Sequence, residues 1–340
     1  MKKYLVTGGL GVIGSRFAEI ALRSGDEVTI LDAAEEPRNR WMAERLESSG
    51  FKHLVVRKER VEKANLEYLV QNNDFVLHAA ASTGIPHSEK DPNDDWISNV
   101  DATRKLLEAL RMYAPKVPMV MLSSVKPYKI SNLVCKTTQK RTYWEGEKSV
   151  DETFPMEPDE PYAASKMAMS ALGMAYGRSY KMPVTTLRCS NLYGDAPCHG
   201  PRHGWLTWFC IAAAIGRVIE LQGTGKQTRD MLFSDDVASA VFASFDNINE
   251  MAGQVYNIGG GKANTVSCNE AIDKISMHIP VEWRSGSGRQ NEDQVFVTNY
   301  GKFMASTGWE PTIGVDEGIS RILKWAQWNI EELRDIYAKT

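Results

Sequence analysis

Short apolar runs alternate with amphipathic stretches through the first half of the chain. "KYLVTGG" reads as a strand, "GSRFAEIALRSG" as a helix closed by Gly25, and "EVTILD" as a second strand. "HLVV" is a weaker third, "DFVLHAAA" a fourth, "NVDATRKLLEALRMYA" a helix and "PMVMLSS" a fifth strand. Strands that are apolar throughout, rather than at alternate positions, are buried on both faces, which implies a parallel sheet with helices on either side. Right-handed crossovers then give a doubly wound α/β fold. Beyond it come the helix "PYAASKMAMSALGMAYGRSY" and the strand "PVTTLRCSNLYG". After Gly194 the regularity drops into a stretch rich in Gly, Pro, His and Trp, the kind of loop that holds ligands on a rigid scaffold. The pattern predicts a Rossmann domain over 1–194 and a smaller C-terminal α/β lobe over 195–340, with a strand and helix near 230–260 returning to the first. A last helix is predicted over "GVDEGISRILKWAQWNIEELRDIYA".

Composition narrows the function more than the fold. Forty basic and 43 acidic residues leave a net charge of −3, so no long-range field recruits nucleic acid or an anionic membrane. No long apolar run is present and the N-terminus enters a strand directly, so neither a membrane span nor an export signal is expected. The five cysteines (Cys135, Cys189, Cys198, Cys210, Cys268) lack CxxC or Cys/His spacing. They read as reduced thiols of a cytoplasmic protein, without a metal site or a disulfide framework.

"TGGLGVIG" sets Gly8, Gly11 and Gly14 between the first strand and the first helix. Gly8 permits a tight turn, Gly11 lets backbone approach a pyrophosphate, and Gly14 lets helix and strand pack closely. Asp32 ends the second strand eighteen residues beyond Gly14, where a carboxylate accepts hydrogen bonds from the adenosine ribose and repels a 2′-phosphate. The following "AAEEP" brings no basic residue beside it, so the expected cofactor is NAD rather than NADP.

Tyr162 and Lys166 lie at i and i+4 on a predicted helix and leave it from one face. A phenol near its reference pKa of about 10 is a poor base at neutral pH. An ammonium one turn away, with an oxidised nicotinamide, favours the phenolate. By itself this pair is a chance event. Glycine loop, strand-end serine and Tyr-x-x-x-Lys in that order are not. With "HAAA", "NVDATRKLLEA", "LSSVKPY", "RCSNLYG", "GTGKQTRDMLFSDDVA" and "YNIGGG" in sequence, the chain resembles the extended short-chain dehydrogenases/reductases over nearly its whole length. Within them it resembles the NAD-dependent nucleotide-sugar epimerase/dehydratase family.

The resemblance implies a catalytic trio of Ser124, Tyr162 and Lys166. Ser124, rather than Ser123, would hold the sugar oxygen that becomes a carbonyl, Tyr162 would take its proton, and Lys166 would also hold the nicotinamide ribose. It further implies cofactor contacts from Val12, Ile13, Ala79, Ala80, Ala81 and Asn99, the last with a helix cap as its plainer reading. Substrate contacts would come from Ser82, Thr83, Lys126, Asn191, Trp205, Arg229, Arg289 and Glu292. Arg229 suits a diphosphate because its planar fork pairs with phosphate oxygens, although a structural pair with Asp235 or Asp236 is the plainer reading. His199, His203 and Trp208 belong to the same loop region, where Trp205 and Trp208 either stack on a base or pack in the core. Homodimers through the Tyr-x-x-x-Lys helix are usual in the family.

Two departures carry information. The 4,6-dehydratases of the family follow the catalytic hydroxyl with an Asp-Glu pair that eliminates water, whereas here Val125 and Lys126 stand there. Valine exchanges no proton, which disfavours dehydration and leaves oxidation and re-reduction of one sugar carbon, an epimerisation. A sugar dehydrogenase or ketoreductase is the alternative. Lys126, "GWLTWFC" and "DQVFV" resemble the branch of 2-epimerases acting on CDP-linked sugars. After the third strand "VVRKER" replaces the family's usual Gly-Asp, so adenine is expected to be held differently.

Overall fold

The computed structural model describes residues 1–146, 148–197, 200, 203–288 and 293–338. Cys198, His199, Arg289 and Glu292, with the readings attached to them, lie outside the described residues. Seven strands form the central sheet: β1 (Lys3–Thr7), β2 (Glu27–Asp32), β3 (Leu54–Lys58), β4 (Phe75–His78), β5 (Met119–Ser124), β6 (Val184–Cys189) and β7 (Val255–Ile258). They lie in the order β7-β6-β5-β4-β1-β2-β3, with every neighbouring pair parallel. Because β2 and β4 lie on opposite sides of β1, the connections leave the sheet in opposite directions. A crevice opens at the carboxyl ends of β1 and β4.

Strand periodicity divides the core into two layers. Tyr4, Val6, Ile30, Leu77 and Val120 face one side, Leu5, Leu31, Val76, Met119 and Met121 the other. The first layer is covered by α1 (Val12–Arg23), whose Ile13, Phe17, Ala18, Ala21 and Leu22 recur at helical spacing. Its Phe17 stacks on Phe242 of helix Ser234–Asp246 at 4.5 Å between centroids. The second layer is covered by helices Leu66–Gln71, Ala102–Tyr113 and Pro161–Ser179. A wider π-type turn, Trp96–Asp101, leads into helix Ala102–Tyr113, so Asn99 sits inside a helical segment and not at a cap.

The remainder folds around a smaller sheet. Thr228–Phe233 pairs in parallel with Asn191–Tyr193 and with Val295–Phe296, and antiparallel with Thr265–Ser267. Asn191–Tyr193 follows β6 after a single residue, so one chain segment serves both sheets. Helices Trp205–Ala214, Cys268–Ser276 and Val315–Trp328 close a second core. The sequence pattern missed the hairpin Cys135–Thr137/Thr142–Trp144, whose strands are three residues each and too short to show alternation. It also ran the last helix through Asn329, where the chain leaves the helical region (φ −120, ψ 30) before Ile330–Ile336 resumes it.

Asp236 on helix Ser234–Asp246 ties the lobes together. Its buried carboxylate accepts from the amide (3.1 Å) and hydroxyl (2.8 Å) of exposed Thr312 and from the buried Ile313 amide (3.0 Å). Asp236→Ala strands the buried Ile313 amide, so it should lower unfolding stability by about 1–3 kcal/mol in urea titrations.

Candidate active site

A cavity of about 1010 Å³ occupies the crevice at the carboxyl ends of β1, β2, β4 and β5. Every predicted cofactor and substrate residue among those described lines it, except Asn99. Asn99 is fully buried behind the wall, where its side-chain amide donates to Ser82 O (3.2 Å) and Ser165 Oγ (2.9 Å). It therefore braces the Ser82 loop against the catalytic helix and makes no wall of its own.

The glycine loop forms the floor. Gly8 has φ +68, and a Cβ there would come within 2.5 Å of Ala80 N, so both turn and neighbour demand glycine. At Gly14 a Cβ would stand 2.2 Å from Gly8 O, which only a bare Cα avoids. Gly11 differs: a Cβ would meet nothing closer than Gly8 O at 3.4 Å. Protein packing does not require that glycine, whereas space for a phosphate at the start of a helix does. Asp32 Oδ2 accepts from Leu10 N (3.1 Å), and Oδ1 accepts from Ala34 N (3.1 Å) and Asn39 Nδ2 (3.0 Å). The carboxylate is thus held rigid at the cavity wall. Arg38 lines the same region as Asp32, but its Nε lies 3.0 Å from Glu36, and Glu35 lines it too. The residues present suit a dinucleotide with a free ribose diol. His78 of "HAAA" is no ligand: it bridges Thr7 and Thr103 at 2.7 and 2.8 Å, and burial pushes its pKa down to about 3.

Beyond β3 the cavity is lined by Glu59, Arg60, Val61 and Glu62, where the sequence left adenine without its usual partner. Arg60 is committed to Glu62 (2.6 Å), Asp94 (2.8 Å) and Ser98 (2.7 Å). A neutralised, immobilised guanidinium suits a flat base better than a phosphate.

Ser124 and Tyr162 converge. Ser124 lies close enough to the Tyr162 hydroxyl to favour its ionisation, and Ser124 Oγ accepts from Lys126 N (3.1 Å). Ser123 turns to the helix instead, donating to Lys166 O (2.9 Å) and accepting from Ser170 Oγ (2.8 Å). Lys166 Nζ has only weak company, Leu122 O at 3.4 Å and Met169 Sδ at 3.7 Å. Burial pulls the Lys166 pKa down to about 8, against a raising influence from Cys189 and Asp95. Burial also drives the Tyr162 phenol well above its ordinary value, with Ser124 opposing and Asp95 adding to the rise. Proton removal from Tyr162 therefore needs the Lys166 ammonium and a further positive charge.

Three residues of this site escaped the sequence reading. Asp95 is buried near Tyr162 and Lys166, and neither carboxylate oxygen has a hydrogen-bond partner among the described residues. Glu160, two residues before Tyr162, and Asp293 both meet Lys126, at 3.9 and 2.9 Å. Only the position of Glu160 beside the Tyr-x-x-x-Lys motif could have drawn notice to it. Arg229 donates to the carbonyls of Thr228 (2.9 Å) and Asp293 (2.6 Å), while Asp235 instead pairs with Arg16 and Arg321. Trp205 lines the cavity edge-on to Phe209, whereas Trp208 packs in the core against Tyr337.

A doubly wound sheet, a glycine-floored crevice and a Ser/Tyr/Lys cluster define an NAD-linked enzyme of the short-chain dehydrogenase/reductase kind. The model of the "NAD dependent epimerase/dehydratase family" matches residues 4–259, and the chain belongs to that family. NAD is its cofactor. The chain is 27% identical to the CDP-paratose 2-epimerase of Salmonella typhi, covering 95% of this chain and 98% of that protein. It is 31% identical to a dTDP-glucose 4,6-dehydratase of Xanthomonas campestris pv. campestris, over 96% of this chain and 93% of the other. In fold it matches a UDP-glucuronic acid 4-epimerase mutant of Bacillus cereus, with TM-score 0.81 at 22% identity, covering 96% of this chain and 99% of that one.

Gly11→Ala should leave the apoprotein's urea midpoint nearly unchanged while weakening NAD binding by calorimetry at least about tenfold. Gly14→Ala should lower stability by about 1–3 kcal/mol even without cofactor. The Lys166 pKa, down from 10.5 to about 8, means that the unfolded chain binds more protons in that window. Its contribution to stability therefore rises with pH from about 8 to 10.5. Lys166→Met should abolish turnover, unfold no lower than wild type at pH 7, and lose that alkaline gain. Wild-type kcat/KM should fall as pH rises through about 8, where the ammonium discharges.

Proposed function

We propose that the protein is a nucleotide-sugar epimerase that oxidises one sugar carbon and reduces it again from the opposite face. The observation carrying this reading is the Ser124–Tyr162 pair over buried Lys166, with no carboxylate at positions 125 and 126. Bound NAD supplies a reversible hydride acceptor. The chain's residues handle the proton: Ser124 Oγ holds the sugar hydroxyl, the Tyr162 phenolate takes its proton, and Lys166 stabilises that phenolate. After the keto sugar has turned, the same phenol returns the proton to the re-formed hydroxyl. Hydride and proton both come back, so no oxidant is consumed.

In this reading residues 195–340 mainly form the substrate lobe, and Arg229 and Asn191 face the diphosphate. The CDP-paratose 2-epimerase of Salmonella typhi, matched end to end, supports a sugar nucleotide as substrate. The enzyme works as a homodimer, for which the exposed Trp96, Met112, Tyr113 and Tyr180 on and beside helices Ala102–Tyr113 and Pro161–Ser179 are support. The absence of a disulfide among the four described cysteines fits a reducing cytoplasm.

Across a panel of CDP-, UDP-, GDP- and dTDP-sugars followed by NMR, one pair should interconvert without net NADH. Stoichiometric NADH release, the mark of a dehydrogenase, overturns the reading, as does release of a 4-keto-6-deoxy sugar. Tyr162→Phe should cut turnover on the order of 10²- to 10⁴-fold with its thermal unfolding unchanged.

A further inference from the structure

Lys126 enters the site in place of the elimination pair, and its surroundings say what it does there. Its Nζ is 2.9 Å from Asp293 Oδ2 and 3.9 Å from Glu160 Oε1. Its backbone amide donates to the catalytic Ser124 Oγ, and Glu160 lies two residues before Tyr162. The cluster is therefore rooted on both sides of the point where the reacting hydroxyl is held. All three side chains line the cavity, together with Glu89 and Asp159.

Among the described residues the charge on this wall is lopsided: Glu89, Asp159, Glu160 and Asp293 face two cations, Lys126 and Arg229. Lys126 is occupied by Asp293, and Arg229 donates to two main-chain carbonyls. Glu160 Oε1 is buried and has no hydrogen-bond partner among the described residues. Desolvation lifts the Glu160 pKa to about 7, which Lys126 opposes and Asp159, Asp293 and Glu89 reinforce.

We propose that Lys126, Glu160 and Asp293 form a specificity device that admits a neutral sugar and rejects one bearing a carboxylate. This rests on the nucleotide-sugar reading above and names the class of sugar within it. A sugar hydroxyl supplies a donor to the Glu160 carboxylate where it lines the cavity. A hexuronate carboxylate supplies no donor, meets carboxylates at close range, and finds the nearest ammonium already paired. Lys126 keeps the two acids together and anchors the wall to the loop that carries Ser124.

The test is calorimetric binding to the NAD-loaded enzyme at pH 8.5, above the Glu160 pKa of about 7, with two pairs of ligands differing in oxidation at C6. These are UDP-glucose against UDP-glucuronate and UDP-galactose against UDP-galacturonate. The hexose should bind at least about tenfold more tightly in each pair. Glu160→Gln and Asp293→Asn should each narrow that ratio about threefold or more, chiefly by strengthening hexuronate binding, in variants whose thermal unfolding matches wild type. Equal affinities, tighter hexuronate binding, or ratios untouched by both variants overturn the inference. Binding of neither sugar in either pair also overturns it and leaves the epimerase reading to its own wider panel of bases. Because binding is read without turnover, a failed epimerisation assay does not affect the result, and efficient epimerisation of a hexuronate would sink this inference alone.

Discussion

The site depends on how closely helix Pro161–Ser179 lies against β5 and β6. Gly173 and Gly177 make that approach possible. A Cβ at Gly173 would stand 2.6 Å from Thr186 Oγ1 on β6, and one at Gly177 would stand 2.5 Å from Gly253 Cα. Ser123 then locks the register, taking the Ser170 hydroxyl and donating to Lys166 O. From this single packing two consequences follow. Tyr162 and Lys166 are carried below the surface, and the next residue of β5, Ser124, is left facing Tyr162. Burial is what raises the phenol and lowers the ammonium, so the same contact sets both geometry and acidity.

Burial works against catalysis here as much as for it. A desolvated phenol resists ionisation, and a desolvated lysine gives up the charge meant to help it. Ser124 opposes the first effect, and Asp95 and Cys189 oppose the second for Lys166. Asp95 acts in both directions, since its carboxylate holds Lys166 charged while discouraging the phenolate. The balance tips toward phenolate only when another positive charge arrives, as oxidised NAD does. The chemistry is thereby coupled to the state of the cofactor, which suits an enzyme that must not release its intermediate.

The substrate side shows how one pair of replacements redirects a common scaffold. With Val125 and Lys126 after Ser124, the strand itself offers no acid for elimination. Carboxylates nevertheless reach the same place from two other segments, Glu160 before the helix and Asp293 in the second lobe. They arrive tied to an ammonium rather than opposed across a sugar. In the proposal above such a wall reads hydroxyl groups, and its member Asp293 also holds Arg229 through its carbonyl. If Arg229 holds the diphosphate as proposed, recognition of the sugar and of the diphosphate would be linked through a single residue.

Local pattern was enough for a large part of this. Continuous apolar strands between amphipathic helices imply the doubly wound sheet, because two-sided burial leaves no polar face to display. Gly8, Gly11, Gly14 and Asp32 point to a dinucleotide because a strand precedes the glycines, a helix follows them and Asp32 ends the next strand, and Tyr162 and Lys166 share a face by helical period. Tertiary structure alone decided what depends on residues far apart in the chain. Asn99 proved a brace behind the wall, since only packing tells a buried amide from a lining one. Arg60 met Glu62 and Asp94, and Lys126 met Asp293 across 167 positions. The three-residue strands of the hairpin 135–144 are too brief to show a period. Spacing along the chain encodes which side chains share a face. Which charges meet, and how far they are removed from water, is settled only when separate elements close on one another.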